Sequence, residues 1–317
     1  MSETGGIALV FPGQGCQSVG MGAELYERYP QARAIYDRAD EVLGFALSEM
    51  CFKGPEEALN DTANTQPAIY TTTLALWHVL SPRLEKIRPR VAFVAGHSLG
   101  EFSALAVAGA FGFEEGLRLV RCRGEAMRDA GTQAPGGMAA IIGLADEVVQ
   151  EIVAETNAEG ERVWIANWNS PGQVVIAGEN AALQKAIALA QARKARRALP
   201  LAVSVACHTP LMEAAAQRLG AALEDTSFQT PWVPVVSNAE AAPLSEPAAI
   251  KAALMRQLIS PVRWVESVEW MVAAGVSTML EVGPKAVVSG LIKRIASEVT
   301  LHSITDAVGV EAFDGEL

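Results

Sequence analysis

The pentapeptide Gly-His-Ser-Leu-Gly at residues 96–100 constrains the fold more than any other stretch of this sequence. It follows an apolar run at residues 91–95 and precedes a segment rich in small and apolar helix formers at residues 101–110. A serine between two glycines is typical of a sharp strand-to-helix turn, because bulky neighbours do not fit beside the strained serine. The pattern predicts a nucleophile elbow with Ser98 as the candidate nucleophile. A turn in which Ser98 only caps the helix is the alternative.

Composition narrows the class of protein. A chain of 317 residues with 50% hydrophobic content has room for a large core, and no run reaches the roughly 18 apolar residues of a membrane span. The four cysteines and four histidines lack metal-ligand spacing, and the net charge of -11 disfavours nucleic acid as a partner. The start of the chain lacks the basic residues of a secretory signal. We therefore expect a globular, cytoplasmic protein without a metal, bound neither to nucleic acid nor to a membrane.

Apolar runs alternate with helical patterns along most of the chain, which is typical of an α/β fold with a mostly parallel sheet. Strands are predicted at residues 7–11, 91–95, 233–237 and 279–282. Helices are predicted at residues 66–80, 114–128, 211–223, 248–259 and 286–295.

Residues 131–203 interrupt this alternation. Strands are predicted at residues 138–144, 163–168, 173–177 and 198–203, and helices at residues 146–155 and 181–194. The order βαββαβ is that of a ferredoxin-like unit. We predict a ferredoxin-like subdomain at 131–203, inserted into a larger α/β domain formed by residues 1–130 and 204–310, with a cleft between them. Residues 311–317 are expected to fray.

A serine nucleophile needs a base, and His208 is the best placed of the four histidines because it follows the last predicted strand of the insert. His97 adjoins Ser98, but its side chain should point elsewhere and serve a structural role. His78 lies in an apolar helix and is expected to be a core residue, and His302 lacks informative context. No acidic residue stands out as a third triad member, so a dyad oriented by a backbone carbonyl stays open. A structural histidine at a strand end is the alternative for His208.

Arg123 lies at the edge of the apolar face of its predicted helix, between Met127 and Leu119 on the helical wheel. A guanidinium at the border of a buried face needs an anionic partner, because an unpaired buried charge is costly. Its planar fork suits the carboxylate of a substrate. Taken alone, an internal Asp or Glu partner, or an Arg123 side chain that extends its charged end to solvent, is the favoured interpretation.

Several further motifs occur in one order along the chain. They lie at residues 11–15 (Phe-Pro-Gly-Gln-Gly), 96–101, 123–124, 167–178, 208–212, 257–264 and 281–284. In these motifs, and over nearly its full length, the chain resembles the malonyl-CoA:acyl carrier protein transacylases of fatty-acid synthesis. The resemblance implies a hydrolase-like α/β domain with a ferredoxin-like insert, in agreement with the order of elements above.

By position, the resemblance makes Ser98 the acylated nucleophile and His208 the general base. It gives the backbone N–H groups of Gln14 and Leu99 the role of the oxyanion hole, and it makes Arg123 the residue that holds the free carboxylate of the malonyl group.

The resemblance also gives a role to Gln257, whose backbone carbonyl is expected to orient His208. It implies ping-pong transfer of malonyl from malonyl-CoA to the phosphopantetheine thiol of a holo acyl carrier protein, with no dissociable cofactor. A monomer is compatible with the sequence, which does not fix the oligomeric state. The basic run at residues 193–197 is a candidate surface for an acidic carrier, although a solvated helix end is the favoured interpretation.

Other functions also remain compatible with the sequence. Departures from the family pattern at Cys16, Cys207 and residues 283–286 bear on substrate contacts rather than on the chemistry. Within the transferase class, the chain could supply a polyketide assembly line or a malonate decarboxylase. A serine esterase or thioesterase would share Ser98 and His208 without needing Arg123. A non-catalytic carrier-binding subunit would need none of the three.

Overall fold

Ten strands and fourteen α-helices make up the computed structural model, which describes residues 5–158, 160–203 and 205–317. The strands are β1 (Gly6–Phe11), β2 (Val91–Gly96), β3 (Gly136–Ile142), β4 (Val163–Ser170), β5 (Gln173–Glu179), β6 (Arg197–Pro200), β7 (Val235–Val236), β8 (Pro243–Leu244), β9 (Val276–Val282) and β10 (Thr300–Ile304). The helices are α1 (Ala23–Arg28), α2 (Pro30–Leu43), α3 (Leu47–Lys53), α4 (Glu56–Asn60), α5 (Thr62–Leu80), α6 (Gly100–Val107), α7 (Phe113–Gln133), α8 (Asp146–Asn157), α9 (Asn180–Ala192), α10 (Glu213–Asp225), α11 (Pro247–Ile259), α12 (Trp264–Ala273), α13 (Val288–Ile295) and α14 (Ala307–Ala312). Short 3₁₀ turns lie at Ser81–Leu84, Arg88–Arg90 and Pro210–Met212.

The larger sheet has the strand order β10-β9-β1-β2-β7-β8. Its pairs are parallel except for the antiparallel β7–β8 pair at one edge. Residues 7–11 of β1 are buried on both faces, which explains why this strand reads as a continuous apolar run. The prediction of a mostly parallel α/β sheet is confirmed. The strand predicted at residues 233–237 pairs only over Val235–Val236.

The smaller sheet has the strand order β4-β5-β3-β6, with antiparallel pairing throughout. Helices α8 and α9 supply apolar side chains to a separate core on this sheet. The predicted βαββαβ order is confirmed. Residues 131–133 belong to helix α7 rather than to this unit, and β6 ends at Pro200 instead of residue 203. The division of the chain at residues 131 and 203 stays a prediction.

Strand β4 of the smaller sheet is joined to the larger unit beside the elbow. The backbone N–H of Val262 donates to the carbonyl of Ala166 at 2.8 Å, and the N–H of Trp168 donates to the carbonyl of Val262 at 2.9 Å. His97 Nε2 and Asn169 Oδ1 are 2.7 Å apart, which ties β4 to the turn after β2. The smaller unit is therefore anchored at the point where the candidate nucleophile lies.

The C-terminal segment expected to fray is held by arginine side chains. Arg90 Nη1 donates to the carbonyl of Leu317 at 2.7 Å, and Arg83 Nη1 donates to the carbonyl of Phe313 at 3.1 Å. These contacts give residues 311–317 fixed partners on the larger unit, which the composition of the segment alone did not indicate.

Helices α5 and α7 approach each other closely at Gly124. A Cβ atom at this position would lie 2.6 Å from the carbonyl oxygen of Thr62 and 2.8 Å from the Cα atom of Ala63, distances that real Cβ atoms do not reach. Because glycine has no side chain, the helices pack backbone to backbone here. This approach fixes the position of the neighbouring Arg123.

We predict that Gly124→Ala lowers the free energy of unfolding by about 1–3 kcal/mol, because the added methyl group forces the two helices apart. Gly290→Ala is the matched control: it lies in helix α13, and its added Cβ would meet no atom within 4 Å. The control should gain up to about 1 kcal/mol from the better helix former. Chemical denaturation of both variants measures the difference, and equal stabilities would contradict the prediction.

Candidate active site

Ser98 lies on the turn between β2 and α6 with a backbone φ of 51°, in the left-handed region. Flanking Gly96 and Gly100 leave no room for a side chain, because a Cβ atom on either one would overlap backbone atoms. Asn238 clamps the turn, since its Oδ1 accepts from the Ser98 N–H at 2.6 Å and its Nδ2 donates to the Gly96 carbonyl at 2.7 Å. The predicted elbow is present.

The loop after β1 packs against this elbow. A Cβ on Gly13 would overlap the carbonyl of His97, and a Cβ on Gly100 would overlap the carbonyl of Phe11. Within the described residues, the backbone N–H groups of Gln14 and Leu99 donate to no acceptor. The N–H of Leu99 lies at the N-terminus of α6, where unpaired N–H groups are suited to bind an anion, and the N–H of Gln14 lies on the loop packed against it. The structure thus leaves both donors predicted for the oxyanion hole available.

His208 contacts Ser98 directly. Its Nε2 lies 2.8 Å from Ser98 Oγ, and its Nδ1 lies 2.7 Å from the backbone carbonyl of Gln257. A carbonyl only accepts, so Nδ1 carries the proton and Nε2 is free to accept from the serine hydroxyl. The dyad oriented by a backbone carbonyl, which the sequence left open, is the arrangement observed.

Burial lowers the pKa of His208 to about 3, and the positive charge of Arg123 acts in the same direction. The imidazole is therefore neutral at neutral pH, the form that a general base requires.

Arg123 is fully buried on α7, deeper than the helical wheel indicated. Its Nη2 donates to Ser98 Oγ at 3.1 Å and to Gln257 Oε1 at 3.0 Å, and its Nη1 donates to Gln66 Oε1 at 2.7 Å. It makes no ion pair with a carboxylate in the part of the chain that the structure describes, and its Nε has no partner there. The internal Asp or Glu partner that the sequence favoured is not in contact with it.

The guanidinium remains a cation at neutral pH, although burial lowers the pKa of Arg123 to about 10. Its hydrogen-bond acceptors are neutral oxygens, and its Cζ lies 5.6 Å from the centroid of the Phe102 ring. A buried cation with only neutral partners is a favourable place for an anion. That place adjoins the hydroxyl of Ser98.

A cavity of about 420 Å³ opens beside these residues. Its walls include Gln14, Ser98 and His208 on one side, and Met138, Asn169 and Leu201 on the other. Cys207 also lines it, whereas Cys16 is fully buried elsewhere. Both units therefore contribute to the walls, as expected for a cleft between them.

The predictions for the other three histidines and for the basic run have mixed outcomes. His97 has the structural contact with Asn169, but His78 is exposed and its Nδ1 donates to the Leu74 carbonyl, so its assignment to the core is wrong. His302 is exposed on β10. In the basic run at 193–197, Arg193 pairs with two acidic residues of α8, which suits a solvated helix end.

Three residues in the site were missed from the sequence. Gln66 holds Arg123, Asn238 holds the elbow, and Glu101 accepts a hydrogen bond from Gln257 Nε2 at 2.7 Å. Glu101 lay within a quoted motif, but nothing in its spacing indicated this contact. Gln66 begins a predicted helix and Asn238 follows a predicted strand, but neither pattern indicated that these side chains reach the site.

Comparison with known proteins identifies the family. Residues 8–310 match the acyl transferase domain. The chain belongs to the acyl transferase family.

Among acyl transferase family members, the malonyl CoA-acyl carrier protein transacylase of Salmonella typhimurium is 45% identical over 305 residues, covering 96% of this chain and 97% of that protein. The crystal structure of an acyl-carrier-protein S-malonyltransferase from Bartonella henselae superposes with a TM-score of 0.93 at 40% identity, covering 97% of this chain and 98% of that one. A malonyl-transacylase solved in complex with its type II polyketide synthase acyl carrier protein gives a TM-score of 0.92 at 42% identity, covering 96% and 98%. These relatives therefore align with this chain over nearly the whole length of both proteins.

No helix in the described ranges has the length and apolar character needed to cross a bilayer.

The depressed pKa of His208 gives a test of its burial. The unfolded residue binds a proton below about pH 6.5 and the folded residue does not, so His208 costs stability as the pH falls from 6.5 towards 3. The free energy of unfolding should fall between pH 7 and pH 5 in both proteins. We predict that this fall is on the order of 2 kcal/mol smaller in His208→Gln than in the unsubstituted protein. Denaturant titrations at both pH values measure this difference. The exposed His302→Gln serves as the control and should match the unsubstituted protein; identical losses for all three proteins would refute the burial argument.

Proposed function

We propose that this protein transfers a malonyl group from malonyl-CoA to the phosphopantetheine thiol of an acyl carrier protein through a malonyl-Ser98 intermediate. The observation that carries this proposal is the buried guanidinium of Arg123, 3.1 Å from the hydroxyl of Ser98 and without a carboxylate partner in the described residues. An acyl group that ends in a carboxylate supplies the missing anion while its thioester carbon lies near Ser98. The relatives that match the chain over nearly its whole length carry the same activity in their names.

In the first half-reaction, Ser98 Oγ attacks the thioester carbon and its proton passes to His208 Nε2. The carbonyl oxygen becomes an oxyanion, to which the N–H groups of Gln14 and Leu99 donate. Collapse of this intermediate breaks the bond between carbon and sulfur, and His208 returns its proton to the departing thiolate of coenzyme A. The product is an ester on Ser98.

In the second half-reaction, the carrier thiol gives its proton to His208 Nε2 and attacks the ester carbon. The same oxyanion donors serve, and Ser98 leaves with the proton returned by His208. His208 carries out each proton transfer and the two N–H groups bind the oxyanion, so the proposed cycle uses groups of this chain alone.

Substrate binding also adjusts the base. The charge of Arg123 is one cause of the low pKa of His208, second to burial. A malonyl carboxylate beside the guanidinium offsets this charge, so binding of the correct acyl group raises the basicity of His208. The malonyl carboxylate thus positions the acyl group and also increases the basicity of His208.

The same chemistry supports a proposal for the partner and a proposal for the pathway. The carrier protein is the acceptor proposed here, and the complex of a similar transacylase with its carrier supports this choice. Fatty-acid synthesis is the pathway we propose, with a polyketide system as the second candidate because that complex comes from one. A cytoplasmic location and a monomeric state stay predictions.

We predict that mixing the protein with malonyl-CoA adds one malonyl group, detected by intact mass spectrometry and mapped by peptide analysis to Ser98. The adduct should persist in buffer and pass to added holo carrier protein, because transfer requires that the thiol outcompete water. Ser98→Ala should acquire no adduct. Loss of the adduct to buffer as fast as to the carrier would favour a hydrolase, and absence of any adduct would favour the non-catalytic alternative.

We predict that Arg123→Ala reduces the preference of Ser98 for malonyl-CoA over acetyl-CoA by on the order of 100-fold, the value of a lost charge-assisted pair. Competition between the two thioesters, read out as the ratio of the two adduct masses, measures this preference. Arg121→Ala is the matched control on the same helix, since Arg121 bonds instead with Glu125 and Asn64. An unchanged ratio in Arg123→Ala would refute the assigned role.

A further inference from the structure

Gln257 uses every polar atom that it has in the site. Its backbone carbonyl accepts from His208 Nδ1, and its Oε1 accepts from Arg123 Nη2. Its Nε2 donates to the backbone carbonyl of Ser98 at 3.0 Å and to Glu101 Oε2 at 2.7 Å. One residue therefore contacts His208 through its backbone carbonyl, and contacts Arg123 and the Ser98 backbone through its side chain.

The orientation of the Gln257 amide decides whether this arrangement works. A guanidinium only donates, so the amide must present its oxygen to Arg123. The reverse orientation would place the Nε2 donors of Gln257 against the donors of Arg123. Something must therefore hold Nε2 on the opposite side, away from the cation.

Glu101 occupies that side. It is 2% exposed, on the first turn of α6, and its Oε2 accepts from Gln257 Nε2 and from the backbone N–H of Asn238 at 3.1 Å. Asn238 in turn clamps the N–H of Ser98 through its Oδ1. Glu101 thus reaches the elbow by two routes, through Gln257 to the Ser98 carbonyl and through Asn238 to the Ser98 N–H.

We propose that Glu101 is a positioning residue that fixes the Gln257 amide so that Oε1 faces Arg123, and thereby sets the preference for acyl groups that end in a carboxylate. This inference rests on the role proposed above for Arg123. The length of the Glu101 side chain is decisive for this role, because the N–H donors of Gln257 and Asn238 both bond to a single oxygen, Oε2.

Protonation does not disturb this geometry. Burial raises the pKa of Glu101 to about 7, while the bonds from Gln257 and Asn238, the charge of Arg123 and the Ser237 side chain favour the ionised form. Since Oε2 accepts both N–H groups, any proton on the carboxyl group lies on Oε1. The amide of a glutamine at this position can therefore reproduce the accepting oxygen.

Two conservative variants separate reach from charge. Glu101→Gln keeps the length of the side chain and loses the charge, whereas Glu101→Asp keeps the charge and withdraws the carboxylate by one methylene. We expect Glu101→Asp to lower the malonyl-to-acetyl ratio of Ser98 adducts by about 10-fold, and Glu101→Gln to keep this ratio within about threefold of the unsubstituted protein.

Glu281 provides the matched control. It is also a fully buried carboxylate, but it accepts from the backbone N–H groups of Val287, Val288 and Ser289 at the start of α13. Glu281→Asp should lower the melting temperature and change both acylation rates by the same factor. Melting temperatures of all variants, and rates normalised to folded protein, remove any loss that comes from unfolding alone.

Each outcome bears on the proposal. A larger loss in Glu101→Gln than in Glu101→Asp would mean that charge, not reach, is decisive, and would overturn it. Equal loss of malonyl and acetyl rates in Glu101→Asp would reduce Glu101 to a structural residue and overturn it too. Arg123→Ala, measured in parallel, separates failure of this proposal from failure of the proposed function. If Arg123→Ala lowers the malonyl-to-acetyl ratio and Glu101→Asp does not, only the role of Glu101 is refuted. If Arg123→Ala leaves the ratio unchanged, the role of Arg123 is refuted, and with it the role of Glu101 that rests on it.

Discussion

A guanidinium buried without a carboxylate partner is the constraint on which the site depends. Arg123 has no exposed surface, and its described partners are the oxygens of Gln66, Ser98 and Gln257. Neutral oxygens compensate only part of the cost of burying a charge, so the folded protein keeps a positive potential directed at the nucleophile. The charge of Arg123 lowers the pKa of His208 further than burial alone does, and in the reaction proposed above it selects acyl groups that end in a carboxylate.

Close approach of backbones holds the reacting groups around that charge. Glycines at 13 and 100 bring the loop after β1 against the elbow, and Gly124 brings α7 against α5. At each place a Cβ atom would collide with backbone, which cannot move aside as a flexible side chain can. The loop that carries Gln14, the turn at Ser98 and the helix that carries Arg123 are therefore positioned by main-chain packing, while Gln257 and Asn238 hold the remaining orientations through hydrogen bonds.

The antiparallel unit completes the site from the other side. Its strand β4 pairs with the segment at Val262, and Asn169 bonds to His97 next to the nucleophile. Met138, Asn169 and Leu201 then form the wall of the cavity that faces the dyad. Residues of both units therefore line the cavity of about 420 Å³ beside Ser98.

The sequence by itself determined the local structure. The elbow, the apolar β1 and β2, and the βαββαβ order were all readable, because each depends on periodicity, glycine placement or residue size over short stretches. Helices α1, α3 and α4 and the edge strand β10 were not predicted, since short elements carry little periodic signal. Helix α2 was also not predicted, although its 14 residues are long enough to show periodicity. Nor did the helical wheel reveal the full burial of Arg123, because a wheel describes one helix and not α5, which covers it. Only the tertiary structure decided which polar groups meet: Arg123 with Gln66 57 positions away, Arg123 with Gln257 134 positions away, and Ser98 with Asn238 140 positions away. Such contacts follow from how sheets and helices pack, and hydrogen-bonding groups this far apart in the chain have no spacing rule that a single sequence displays.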